Sequence, residues 1–208
     1  MFHTTAIMNE ELYGMRDLFA EDMAGVHETL YVADKLIKKF LPKLHSHLET
    51  ENVNVSMFAT EWIMTVFTRT FDFDLVSRVW DSYIVEGWKV IYRVMLSLLG
   101  HAQQGLLALD MEELLTYLRD EFPSEVDGIS IMRKSLKIPL RQRHIRKYTL
   151  EWRTTQSCRK QYSRQLSICS ESVASTDAGS SLMPFKQILS GQCVGAMLLP
   201  GLSRRPSV

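Results

Sequence analysis

The stretch Ser56 to Leu99, SMFATEWIMTVFTRTFDFDLVSRVWDSYIVEGWKVIYRVMLSLL, gathers most of the chain's large apolar residues, and a chain carrying it must build its core around it. Phe58, Trp62, Ile63, Val66 and Phe67 recur at helical spacing, as do Leu75, Val76, Val79, Trp80, Tyr83 and Ile84, then Ile91, Val94, Met95, Leu98 and Leu99. The spacing predicts amphipathic helices in succession. Asp72 stands where a carboxylate can cap the second, and Gly87 where a left-handed residue can end it. Connections this short leave neighbouring helices packed on each other. Trp62 and Trp80 each fall on the apolar stripe of their own helix, which favours core packing over a ligand-stacking role. On that placement Trp80→Ala should cost about 3 to 5 kcal/mol, against a typical total stability of about 5 to 15 kcal/mol.

The flanks read as further helices. Met1 to Asn9 is too brief to be a stable helix alone, Asn9 to Asp22 is loop-like, and Asp22 can cap the next helix. Val26, Leu30, Ala33, Ile37, Phe40, Leu41, Leu44 and Leu48 alternate in threes and fours, with Pro42 expected to kink or restart the helix. His45 and His47, two apart, fall on different sides of a helix and are expected at the surface, not as paired metal ligands. Glu49 to Val55 and Gln103 to Leu109, the latter with Gly105, read as connections. Asp110 and Glu113 have the form of a capping box before the apolar face of Met111, Leu114, Leu115, Leu118 and Phe122, which Pro123 should stop. A short helix is expected within 124–138, and Pro139 can open a basic one. From Gln156 onward the composition turns to Ser, Thr, Gly and Gln without a periodic apolar face, so disorder is expected. The fold class is therefore all-α, a bundle of roughly six or seven helices with a disordered C-terminal tail.

Charge and cysteine usage limit what the chain can do. Lys plus Arg and Asp plus Glu number 24 each in 208 residues, so net charge offers no argument for nucleic acid or membrane as a bulk partner. Cys158, Cys169 and Cys193 are odd in number and widely spaced, which suits neither a disulfide framework nor a zinc site. With no signal-peptide pattern and no apolar run of the roughly 18 residues a membrane helix needs, a cytoplasmic protein, free or peripheral on endomembranes, is the expectation. The basic stretch Arg133, Lys134, Lys137, Arg141, Arg143, Arg146 and Lys147 has Ile138, Leu140, Ile145, Tyr148 and Trp152 interleaved. Such a pattern can meet an acidic membrane surface or partner, but a solvated helix whose apolar side closes the fold is the preferred reading. Nucleic acid is disfavoured, because no aromatic platform or reading motif accompanies the charge.

The run from Trp62 through Arg78, Trp80, Asp81, Glu86 and Gly87, containing R-x-W-D and then E-G before an apolar helix, resembles the C-terminal half of a TBC domain. Weaker agreement runs upstream through Tyr13, Gly14, Met15 and Phe19 and downstream to about Phe122. The resemblance implies a partial TBC domain over residues 1–122, a helical extension with the basic helix over 123–155, and the Ser-rich tail over 156–208. It also implies a Rab-type small GTPase as partner and a role in vesicle trafficking as a GTPase-activating regulator, not an enzyme in its own right. Members of the family are understood to supply an arginine from I-x-x-D-x-x-R and a glutamine from Y-x-Q-G. The arginine stabilises charge on the transferred phosphoryl group and the glutamine orients the attacking water.

Neither motif occurs in these residues, and by the family's order the chain begins just after Y-x-Q-G should stand. The expectation is therefore a truncated product that can touch a Rab without accelerating hydrolysis. The alternative is a non-catalytic adaptor binding protein or membrane. No phosphate-cradling glycine loop, H-E-x-x-H or G-x-S-x-G is present, so no catalytic residue, cofactor or metal ligand is assigned. Asp72 and Asp74 read as caps or surface, and Asp81 as holding a helix junction. Without its N-terminal half, the apolar surface of Phe2, Ile7, Met8 and the Val26 to Leu48 helix would be uncovered and prone to self-association. In the tail, Arg204, Arg205, Pro206, Ser207 and Val208 match the pattern basophilic kinases favour, making Ser207 a candidate phosphosite.

Overall fold

The structure is a computed structural model that describes residues 15–21 and 23–174, with side chains to residue 163. It divides into two units, residues 1–153 and 154–208. The readings placed on Met1 to Gly14, Asp22 and Ser207 lie outside the described residues.

The described elements are helical throughout, as the periodicity requires. A 3₁₀ turn, Met15–Phe19, leads to α1 (Ala24–Phe40) and α2 (Pro42–Thr50). Pro42 restarts the helix as expected, sitting in the first turn of α2 where no N–H is needed. Next come α3 (Ser56–Met64), α4 (Phe73–Glu86) and α5 (Trp88–Leu106). The chain continues with α6 (Met111–Thr116), a π turn over Tyr117–Glu121, α7 (Phe122–Glu125), α8 (Gly128–Lys137) and α9 (Gln142–Ala174).

In the first unit α5 is the centre. Val90, Ile91, Val94, Met95, Leu98, Leu99, Ala102 and Leu106 are all buried along it, and α4, α8 and α1 pack around it. The Ser97 hydroxyl donates to the Ile131 carbonyl across the α5–α8 contact at 3.0 Å, satisfying a buried polar group where the two helices meet. On α1 the face of Val26, Leu30, Ala33 and Ile37 is buried, packed toward the 3₁₀ turn, α3 and α5. The expectation of an uncovered apolar face on this helix is therefore corrected, since other helices cover it.

Several sequence expectations differ from the structure for identifiable reasons. The first central helix ends at Met64, not beyond Phe67. Val66 and Phe67 take positive φ of 48° and 65°, and the Phe67 N–H reaches back to the Trp62 carbonyl at 2.9 Å. This six-to-one bond closes the helix with a left-handed residue, a position glycine usually holds. A β-branched valine there is strained by about 1 to 3 kcal/mol. The complete burial of both side chains, at 1% and 0% exposure, offsets the strain. Both residues are in the core, as their spacing requires, but a turn and not a helix delivers them there.

Gly105 does not open a connection, because α5 runs through it to a fully buried Leu106. Pro123 does not stop the helix either. The π turn before it closes with the Phe122 N–H on the Tyr117 carbonyl, and Pro123 then falls in the first turn of α7. Pro139 lies in the link between α8 and α9 and not inside the basic helix. Asp110 caps α6 through Oδ1, accepting from the Glu112 and Glu113 N–H groups at 3.0 Å each. Asp72 occupies the cap position of α4, with extended backbone, but its side chain makes no capping bond. The segment from Gln156 is helical to Ala174, against the expectation of disorder. Arg159, Lys160, Gln161 and neighbouring straight-chain residues have high intrinsic helix propensity and can extend a helix that lacks an apolar face.

The tryptophans separate. Trp62 is 2% exposed and meets Phe58, Phe67 and Phe71 at centroid distances of 5.6, 6.1 and 5.4 Å. Trp80 is only half-buried, packed against the core edge-to-face with Tyr83 at 5.9 Å. The full burial expected of Trp80 is thus corrected, because its position lies at the margin of the α4 apolar stripe. Trp62→Ala should cost about 3 to 5 kcal/mol, and Trp80→Ala about half as much. Urea denaturation of the two variants should show that order, and an equal or reversed loss would displace Trp62 from the centre of the aromatic cluster.

Candidate functional site

Apart from Trp62 on α3, the residues of the run that carried the family resemblance lie on α4 and at its junction with α5, and α4 has two distinct faces. Leu75, Val76, Val79 and Tyr83 are buried. Opposite them, Phe73, Ser77, Asp81 and Ile84 succeed one another at helical spacing, with Asp74, Arg78 and Val85 alongside. This second face is open to solvent. Phe73 is 83% exposed, Val85 82% and Ile84 49%. Ile84 was expected on the inner stripe, and its position one residue past Tyr83 carries it outward. Exposed Phe73 and Val85 were not anticipated, although both stand off the inner stripe by spacing alone.

Two of the outer charges pair with each other. Arg78 Nη2 and Nε donate to Asp74 Oδ1 at 2.9 and 3.2 Å, and this hydrogen bond, followed by the carboxylate's charge, raises the guanidinium pKa above its ordinary value. Arg69 Nε meets Glu61 Oε1 at 2.7 Å. Asp81 is exposed and makes no ion pair or hydrogen bond among the described residues, so it does not hold a helix junction. That task falls to Glu86 and Gly87. Glu86 Oε2 accepts from Lys89 and from Arg93 Nη1, the latter at 2.9 Å, joining the end of α4 to the first turns of α5. The Lys89 hydrogen bond first, against desolvation, and then the charges of Lys89 and Arg93 hold the Glu86 carboxyl below its ordinary range. Gly87 ends α4 at φ 67° and ψ −150°, a region open almost only to glycine, and starts α5 from the same residue.

A second polar cluster corrects another expectation. His45 is buried, with Nε2 at 3.1 Å from Asp34 Oδ1 and Nδ1 at 3.5 Å from Glu49 Oε2, and it lines a cleft of about 450 Å³ with Tyr31, Lys35, Lys38 and Trp152. Glu49 stands four residues on from His45, a helical spacing that the surface reading overlooked. His47 is half-buried and bonds the Leu109 carbonyl at 2.9 Å, tying α2 to the loop before α6. The cleft's charges are paired among themselves, Lys35 with Asp34 and Lys38 with Glu49, as a structural network would be. Among the described residues no group of three or more His, Cys, Asp or Glu could hold a metal ion, and no helix is long and apolar enough to cross a membrane.

Among the described residues, the outer face of α4 thus exposes Phe73, Ile84 and Val85 beside charged side chains. The chain belongs to the Rab-GTPase-TBC domain family, whose model matches residues 1–107. It is 29% identical over 144 residues to the human (Homo sapiens) Ecotropic viral integration site 5 protein homolog, covering 68% of this chain and 18% of that protein. It is 30% identical over 145 residues to Rab GTPase-activating protein tbc-11 of Caenorhabditis elegans, covering 68% and 16%. To the GTPase-activating protein GYP5 of Saccharomyces cerevisiae (strain ATCC 204508 / S288c) it is 35% identical over 109 residues, covering 52% and 12%. The chain thus spans less than a fifth of the length of these relatives. At 68% of the chain, the likeness to the human protein extends past the family-matched span of 1–107.

Two consequences concern the α4–α5 corner. A Cβ at Gly87 would meet nothing within 4 Å, so the cost of Gly87→Ala is one of backbone conformation alone. About 1 to 3 kcal/mol of stability should be lost in chemical denaturation, and no loss would show that the corner can be rebuilt without glycine. The Glu86 pairing contributes stability at neutral pH, about 0.2 to 1 kcal/mol for so accessible a pair. Because the folded carboxyl is held below its ordinary value of 4.5, that contribution is present above 4.5 and is lost as pH falls through the lowered folded value. Stability–pH curves of the parent and Glu86→Gln should differ at pH 7 and converge below that value.

Proposed function

We propose that this chain docks on a Rab-type small GTPase through the outer face of α4, prefers the GTP-loaded form, and by itself leaves the hydrolysis rate at its intrinsic value. Family membership supports the partner class, together with relatives named Rab GTPase-activating protein and GTPase-activating protein. The observation that carries the proposal is the exposure of Phe73, Ile84 and Val85 on the helix that also bears the R-x-W-D residues. Large apolar side chains gathered beside charges on one face mark a contact surface. A regulator of vesicle trafficking is the role this reading assigns.

The absence of acceleration rests on chemistry. Residues 1–208 contain neither I-x-x-D-x-x-R nor Y-x-Q-G. Of the arginines nearest this region, Arg69 is paired with Glu61 and Arg78 with Asp74, and either would have to break its ion pair to reach a phosphoryl group.

Binding to a panel of Rabs loaded with a slowly hydrolysed GTP analogue or GDP tests the docking. Ile84→Ala with Val85→Asp should weaken the GTP-form complex about tenfold or more, since hot-spot residues carry most of an interface. The exposed positions should move stability by no more than about 0.5 kcal/mol. Equal binding to both nucleotide forms would favour an adaptor, and sedimentation showing that the same substitutions dissolve a homodimer would make a second copy the occupant. Single-turnover hydrolysis should stay at the intrinsic rate, and an acceleration of about 10³ or more would overturn the silent reading.

A further inference from the structure

A second cleft, of about 460 Å³, opens on another part of the first unit, between α2, α5 and α8. Lys43 enters it from α2, Lys134 from α8, and His101, Gln103 and Gln104 from α5. No carboxylate lines it. Four lysines elsewhere have a carboxylate partner: Lys35 with Asp34, Lys38 with Glu49, Lys89 with Glu86 and Lys147 with Glu151. Lys43 and Lys134 pair with no carboxylate among the described residues. Lys134 Nζ instead lies 2.8 Å from His101 Nδ1. An ammonium has no lone pair to accept with, so the imidazole nitrogen must accept and His101 carries its proton on Nε2. The Nε2–H, the remaining ammonium hydrogens and the two glutamine amides are then donors grouped around one opening.

The neighbouring α1–α2 junction also touches a group of cations. Leu41, at the α1–α2 junction, approaches Gly100 of α5 so closely that a Cβ there would touch it at 3.6 Å. On its other side the junction meets α9, with the rings of Phe40 and His144 at 6.0 Å. Burial first, and then the cations Lys39, Arg143, Arg141 and Lys147, push the His144 imidazole below its ordinary value. Around His144, Lys39 of α1 thus joins the basic residues at the start of α9. Within a chain of net charge zero, the cleft gathers two lysines without a carboxylate partner among the described residues, together with an imidazole and two amides.

We infer that the Lys43–His101–Lys134 cleft is a binding site for a multiply phosphorylated ring such as an inositol phosphate, carried either by a lipid headgroup or by the free soluble molecule. Phosphate oxygens match the donors: each accepts charge-assisted hydrogen bonds from ammonium, imidazole and amide groups. The cleft is larger than one phosphate group fills, so a scaffold carrying several phosphates suits it. Apart from the Rab contact proposed on the outer face of α4, the site requires only residues of α2, α5 and α8.

The test uses the full chain with inositol hexakisphosphate in titration calorimetry, and with phosphatidylcholine vesicles carrying either phosphatidylinositol bisphosphate or charge-matched phosphatidylserine. The double variant Lys43→Gln with Lys134→Gln should weaken the soluble probe about tenfold or more. The control Lys35→Gln with Lys38→Gln removes the same net charge from lysines already paired, and should change affinity less than about threefold. Both pairs are accessible side chains, and equal thermal melting of parent and variants verifies folding. Selective sedimentation with the phosphoinositide vesicles assigns the lipid source, and binding of the soluble probe alone assigns the free one; either supports the site. No binding of either probe, equal losses in the two double variants, or equal binding to phosphatidylserine vesicles overturns it.

Discussion

A helix that is apolar around most of its circumference can be stable in water only if other elements enclose it, and α5 imposes that requirement on the first unit. Its buried residues from Val90 to Leu106 point in several directions, so one packing partner would not suffice. Three helices, α4, α8 and α1, meet it from different sides. Each of them is amphipathic and has a polar side left for solvent. With each fully buried aliphatic side chain worth about 1.5 to 3 kcal/mol, enclosing α5 is the largest apolar gain available to the chain, and the turns around it are shaped to permit it. The left-handed Val66 and Phe67 are one such turn, in which backbone strain is accepted so that two side chains reach the core.

The same enclosure explains why the family's recognisable residues have divided roles. On α4 the requirement to cover α5 fixes Leu75, Val79 and Tyr83, and Trp80 seals the edge of that contact. Arg78 and Asp81, within the same four-residue element, point elsewhere and are released from packing. The corner at Glu86 and Gly87 sets the direction in which α5 leaves, through a backbone conformation at one residue and an ion-pair cluster at the other. Short sequence elements of this kind therefore combine fold and surface, and their presence supports the fold more directly than any contact the surface makes.

Much of the fold was legible because it rests on periodicity. The buried face of α1 and α2, the boundary at Pro42, the cap at Asp110 and the inner face of α4 are all set by spacing and by the donors a helix end leaves open. The features that were not legible depend on three-dimensional neighbours. Val66 and Phe67 keep helical spacing while leaving the helix. Pro123 is tolerated only because a π turn precedes it. His45 looked like a surface residue until Asp34, from another helix, came to its ring. On the candidate site, the residue types of the family elements were readable, and spacing set Phe73 and Val85 off the inner stripe, but that no other described element covers them was not readable, because a stretch of sequence cannot show which neighbours fail to cover a side chain.

Charge obeys the same logic at longer range. Equal numbers of acids and bases give a zero sum that carries no information about any one surface. Folding sorts them. The Asp34–His45–Glu49 cluster draws in Lys35 and Lys38, while Asp74 takes Arg78 and Glu86 takes Lys89 and Arg93. Each pairing withdraws acids from the rest of the surface. Lys39 of α1 meets Arg141, Arg143 and Lys147 around His144 at the start of α9, and the cleft between α2, α5 and α8 holds Lys43 and Lys134 with no carboxylate in its lining. Bringing like charges together opposes folding, and the core packing of Phe40, Leu41 and Ile145, neighbours of these cations in the chain, offsets that repulsion. A basic corner maintained against its own repulsion is a surface whose free energy falls when an anion arrives.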